Sequence, residues 1–120
     1  MNILIDTRLS NNSGIGRVIR NIISGVTKKG WNVLCLGGER IESSSLYFPW
    51  DATLYSLREQ LGCYTIRKAA REGALLYAPH FNWPVFGPAP DILTVNDLIH
   101  LQFPQFFGSI RINALKFLLE

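Results

Sequence analysis

The chain has 120 residues, is 48% hydrophobic and 18% charged, and carries a formal net charge of +3. That composition excludes a disordered chain and suits one domain, or part of one. No apolar run approaches the ~18–20 residues needed to span a bilayer, and the scattered basic residues match no nucleic-acid reader motif, so no nucleic-acid partner is expected.

Residues 1–6 read as a buried strand, without the basic n-region or small-residue cleavage site of a secretion signal. A polar loop follows and ends in Ser13-Gly14-Ile15-Gly16-Arg17. A helix is then expected, because Ile15, Val18, Ile19, Ile22, Ile23 and Val26 recur at the spacing of one helical face. Lys28 and Lys29 suit its C-terminal dipole, and Gly30 can close it in the left-handed conformation. Residues 31–36 give a second strand, completing a βαβ unit. Glycines at the helix N-terminus let backbone amides approach a phosphate or a polyhydroxyl ligand.

Residues 37–50 read as a Ser- and Gly-rich loop whose aromatic cluster, Leu46-Tyr47-Phe48-Pro49-Trp50, packs a lid or a short strand. Ser56-Leu57-Arg58-Glu59 matches a capping box. The helix behind it runs to about Glu72, is weakened at Gly62 and ends at Gly73. Its basic patch, Arg67, Lys68 and Arg71, reads as a solvated face or as a contact for anionic lipid headgroups. Strands are expected at 74–78 and 91–95, each followed by a polar loop. Ser109 resembles an N-cap for an amphipathic helix over 110–120 that stops without Gly, Pro or a polar tail. We therefore expect a piece of a larger fold, with self-association through that helix.

This alternation predicts an α/β fold: a Rossmann-like, open, parallel sheet with helices on both faces. Residues 11–17, 79–82 and 96–100 would all follow the carboxyl ends of strands, where doubly wound sheets bind ligands. The dinucleotide fingerprint fails, because its third glycine falls at Ile19 and the first loop is too long. No G-x-S-x-G elbow supports a hydrolase. His80, His100 and Asp97 lack metal-ligand spacing, so no metal is expected. Cys35 and Cys63 are isolated and read as reduced core residues of a cytosolic protein.

Three segments in series carry a family resemblance. Ile3-Leu4-Ile5-Asp6-Thr7-Arg8 followed by Ser13-Gly14-Ile15-Gly16-Arg17 resembles the start of a family 4 glycosyltransferase of the GT-B fold. Tyr77-Ala78-Pro79-His80 with Asn82-Trp83-Pro84 is similar to that family's "aPh…P" loop. Leu93-Thr94-Val95-Asn96-Asp97-Leu98-Ile99-His100-Leu101 with Phe103-Pro104-Gln105-Phe106-Phe107 is similar to its "vTvHDl…l.fPe.f" segment. Within the family the resemblance is to mannosyltransferase-like members of lipopolysaccharide and capsule pathways.

The resemblance implies that residues 1–120 are the N-terminal, acceptor-side Rossmann-like domain, itself incomplete, with the C-terminal donor-binding domain lying elsewhere. It implies retaining transfer from a nucleotide-sugar to a polysaccharide or lipid-linked glycan, without metal or cofactor, in the cytoplasm or peripherally at the inner face of the membrane. By that implication Gly14, Ile15, Gly16, Arg17 and His80 bind substrate, and Asn96 and Asp97 approach the transferred sugar. Two departures stand out. Asn96 occupies the family's usual His position and cannot titrate. The E-x7-E carboxylate pair of the donor domain does not occur in these residues. A non-catalytic half that associates with a partner chain is the alternative.

Overall fold

The computed structural model describes residues 1–38, 40–41, 46–50, 52, 56–80, 83–96, 102–103 and 105. Its elements are β1 (Asn2–Asp6), α1 (Ser13–Lys28), β2 (Asn32–Leu36), β3 (Leu46–Phe48), a 3₁₀ helix (Leu57–Gly62), α2 (Cys63–Arg71), β4 (Leu75–Ala78) and β5 (Ile92–Leu93). The strands form one 5-stranded sheet in the order β3-β2-β1-β4-β5. Every pairing is parallel. This is an α/β, Rossmann-like open sheet. Its strand order reverses between β1 and β4, so their carboxyl ends form the topological switch point, the place where doubly wound folds bind ligands.

The period of two along each strand sorts the core into two layers. Ile3, Ile5, Val33, Cys35 and Tyr77 face α1 and pack with its Ile19 and Ile23. Leu4, Leu36, Leu76 and Ala78 face the other way, against Ile66 and Ala69 of α2 and against Trp50, Ala52 and Trp83. Both sheet faces are covered, which is why the strands are apolar runs rather than alternating ones. Among the described residues no helix is long and apolar enough to cross a membrane.

Both helices stop in the same way. Trp31 N–H reaches back to the Val26 carbonyl and Gly30 N–H to that of Thr27. Ala74 and Gly73 repeat the pattern on Ala69 and Ala70. Gly30 and Gly73 sit at φ 79° and 76°, the left-handed position this motif requires.

The structure refines several expected elements. The aromatic cluster after residue 45 is a strand, β3. The second helix changes type at Gly62, where the backbone lies against the Trp50 ring: a Cβ there would come within 2.7 Å of the indole. The strand expected at 91–95 shortens to Ile92–Leu93. Thr94 N–H still bonds to the Ala78 carbonyl, but β4 gives way to Pro79, which has no amide hydrogen to extend the ladder. The apolar stripe of α1 is narrower than its spacing suggested, since Val18 is 41% exposed. The helix expected over 110–120, and any self-association through it, lies outside the described residues.

Replacing Ile19, which is 0% exposed, with Ala should cost about 2–4 kcal/mol in urea unfolding. Val18→Ala, on the same helix, should cost less than about 1 kcal/mol. Equal losses would contradict this layering.

Candidate functional site

The carboxyl edge of the sheet is organised around a buried charge. Asp6, the last residue of β1, is 0% exposed. The chain turns immediately after it, and Arg8 folds back onto it. Arg8 Nε lies 3.1 Å from each Asp6 oxygen and Nη2 lies 2.7 Å from Oδ2. The Arg8 backbone N–H donates to Oδ1 at 3.1 Å. The remaining arm of the fork, Nη1, donates to Glu59 at 2.6 Å. The guanidinium also lies over the Trp50 ring, 3.9 Å from its centroid.

His80 completes the cluster from the neighbouring strand. It follows β4, is buried, and places Nε2 3.6 Å from Asp6 Oδ2. Burial pushes the Asp6 carboxyl up, but the His80 imidazole and the Arg8 guanidinium pull it further down, to about 2. Burial alone would lower the Arg8 pKa, yet Asp6 and Glu59 raise it above its ordinary value.

Other bonds tie the loops of this edge together. Buried Thr7 donates through Oγ1 to the Gly37 carbonyl at 2.6 Å, joining the exits of β1 and β2. Arg20 of α1 donates to the Ser10 carbonyl. Gly16 is buried against that same carbonyl, where any Cβ would collide with it. Beyond the neighbouring strands β4 and β5, Asn96 Nδ2 donates to the Pro79 carbonyl at 3.3 Å, so the loops after them also meet. Trp83 Nε1 holds the first of these by donating to the Pro88 carbonyl at 2.8 Å.

The sequence-derived candidates divide into two kinds. His80 belongs to the buried cluster. Gly16 is a packing residue whose N–H is already bonded to the Asn12 carbonyl at 2.7 Å. Ile15 turns its side chain to the α1 core layer, leaving only its backbone for a ligand. Gly14 has open space around its Cα, and Arg17 is exposed. Asn96 is exposed beside Pro79. Asp97 lies outside the described residues, as does His100. Thus the loops bearing Gly14, His80 and Asn96 come to one edge, while Arg17 makes no described contact with the buried cluster.

Sequence reasoning passed over Arg8, Glu59 and Trp50. Glu59 reads as the third position of a capping box, and Ser56 Oγ does accept from its N–H at 3.2 Å. Its carboxylate, however, is engaged by Arg8. The available signal was an acidic residue ending an apolar strand with an arginine two positions later.

Chemically, the edge offers a helix N-terminus. Asn12 caps α1 in an extended conformation without a side-chain hydrogen bond, and no acidic residue occupies the first turn. Its first amides therefore favour an anion or a polyhydroxyl group. Among the described residues no group of three or more His, Cys, Asp or Glu could hold a metal ion. Comparison of the chain with family models, with curated proteins and with solved structures finds no match.

Two measurements test this arrangement. The Asp6 carboxyl, followed by carbon NMR, should titrate near 2, below the ordinary 3.8. Because the folded pKa is depressed, its stabilisation is complete above about pH 4 and is lost as pH falls towards 2. The loss is on the order of 2 kcal/mol. A midpoint at the ordinary value would remove the pair from its assigned role. Separately, Gly16→Val should destabilise the fold by roughly 1–3 kcal/mol through collision with the Ser10 carbonyl, whereas Gly14→Ala should be nearly neutral or stabilising. The packing thus distinguishes two glycines that the resemblance groups together as substrate-binding.

Proposed function

We propose that this chain is the acceptor-side, N-terminal part of a retaining glycosyltransferase. The complete enzyme would move a sugar, mannose by the nearest resemblance, from a nucleotide-sugar to a polysaccharide or lipid-linked glycan. The observation that carries this reading is the meeting of three segments at one sheet edge. The stretches that resemble the family leave β1, β4 and β5 and are tied together there by Asp6–His80 and Asn96–Pro79.

In this reading the buried cluster holds and the exposed groups contact. Asp6, Arg8, Glu59 and His80 fix the loops without touching substrate. The first-turn amides at Gly14 and Ile15, left without a side-chain cap, would receive an anionic or polyhydroxyl group of the ligand. Arg17, with its fork of donors, pairs with a phosphate oxygen. As a nucleoside diphosphate departs, negative charge grows on its phosphate, and a helix N-terminus with a guanidinium stabilises that charge. Asn96, with Nδ2 engaged by Pro79, offers its amide oxygen to a sugar hydroxyl. Neutral Asn96 moves no proton, so an acid–base role is not assigned to it. The donor half lies outside these residues, and this chain by itself is not expected to turn over.

The reading is testable on the chain alone. Titration of the ¹⁵N-labelled protein with inorganic pyrophosphate, the anion shared by nucleotide-sugar donors, should shift the amides of Gly14 and Ile15 in one weak, saturable process. Arg17→Ala should weaken that process several-fold, the scale of one exposed charge-assisted contact. Shifts confined to other faces, or none at millimolar ligand, would remove the assignment.

A further inference from the structure

The loop after β4 carries a turn that is tied down from several sides. Trp83 Nε1 donates to the Pro88 carbonyl at 2.8 Å, and Gly87 N–H closes the turn on the Pro84 carbonyl. From the helical side, Gln60 Oε1 accepts from Phe86 N–H at 3.2 Å, and Arg67 Nη2 donates to the Phe86 carbonyl at 2.6 Å. With its backbone so fixed, Phe86 still leaves its side chain 68% exposed. Beside this turn an open groove of about 570 Å³ is lined chiefly by Gln60, Leu61, Tyr64, Arg67, Lys68 and Arg71. Tyr64, Lys68 and Arg71 all belong to α2 and recur at i, i+4 and i+7, so they share one face of that helix. Tyr64 is 76% exposed, and no acidic residue lines the groove among the described residues.

We propose that this groove binds an anionic polysaccharide, one bearing carboxylates on its sugars. The inference deepens the glycosyltransferase reading, on which the ligand's role as acceptor rests. Exposed aromatic rings offer flat, partly negative faces to the partly positive C–H faces of sugar rings. Tyr64 on the helix and Phe86 on the turn are two such rings. Lys68 and Arg71 follow Tyr64 by about 6 and 10 Å along the helix axis, the reach of one to two sugar units. They supply the cations for carboxylates. Gln60, whose oxygen is taken by Phe86, keeps its amide nitrogen for a hydroxyl. A bilayer presents a plane, whereas these groups border a concavity. An acidic peptide would match the cations, but its backbone offers no sugar face to Tyr64. Position agrees with the reading. Glu59, which meets Arg8 at the carboxyl edge, directly precedes Gln60, and the turn belongs to the loop that leaves β4 at that edge. A glycan whose end lies at the switch point can therefore continue along α2.

Titration of the ¹⁵N-labelled full chain with tetragalacturonate tests this assignment. The amides of Gln60, Tyr64, Lys68 and Arg71 should shift in one saturable process that weakens as salt rises, and neutral maltotetraose should bind at least about tenfold more weakly. Lys68→Gln with Arg71→Gln should weaken the uronate about tenfold, and Tyr64→Ala about fivefold. Amides outside the groove should keep their positions in both variants, since all three side chains are exposed. No response to tetragalacturonate, an equal response to maltotetraose, or indifference to either variant overturns the proposal. So does equal binding of tetraglutamate, which would assign the groove to an acidic peptide, or a response to phosphatidylglycerol vesicles alone, which would assign it to a membrane. These amides are read apart from those of Gly14 and Ile15. A chain that binds the uronate here and ignores pyrophosphate there keeps the groove and loses the transferase role, and the converse loses the groove alone.

Discussion

A carboxylate sealed at the end of a central strand must be neutralised where it stands. Desolvation of a buried charge costs several kcal/mol unless its lone pairs are occupied. Here Arg8 answers Asp6 with backbone and side chain together, and its remaining arm obliges Glu59 to come within 2.6 Å. That obligation positions the 3₁₀ helix. The guanidinium then needs a lid, which the Trp50 ring supplies, and His80 draws the end of β4 to the same point. The pair thus fixes the exits of β1 and β4 and the start of the second helical segment. Removing Asp6 would take from Arg8 its bidentate partner, and removing Arg8 would leave both buried carboxylates without their shared cation.

The carboxyl edge therefore separates two tasks among its polar groups. Asp6, Arg8 and Glu59 are turned inward and paired with one another. Gly14, Arg17 and Asn96 are exposed. A polyhydroxyl or phosphate ligand needs many directional hydrogen bonds held in fixed positions, and rigid scaffolding behind a soft polar surface meets that need.

Much of the architecture was legible because it rests on local pattern. The apolar run of β1, the helical spacing of α1 and the Gly30 and Gly73 stops each follow from backbone rules acting over a few residues. The parallel sheet followed from alternation of strand and helix. What sequence reasoning missed were consequences of tertiary packing. Glu59 lies in a cap as read, but its bond to Arg8 joins residues 51 positions apart and leaves no local signal. Nor does anything in the spacing announce the Ser10 carbonyl packed against Gly16. β5 was read too long because the hydrophobicity of residues 92–95 cannot register that its neighbour ends in proline. Val18 was placed in the core because spacing gives the direction of a helical face and not its width.

The strand order carries a consequence for how the chain acquires its shape. β1 is made first and ends in the middle of the sheet, so it must wait for both neighbours. Its partner β2 follows about one helix later, whereas β4 arrives only after a long intervening stretch. Asp6 and Arg8 are two residues apart and can associate while the rest of the chain is still being made. Glu59 and His80 can join only when distant segments close around them. The most local pair of the charge cluster therefore closes the shortest loop, and the contacts of Arg8 with Glu59 and of Asp6 with His80 close far longer ones.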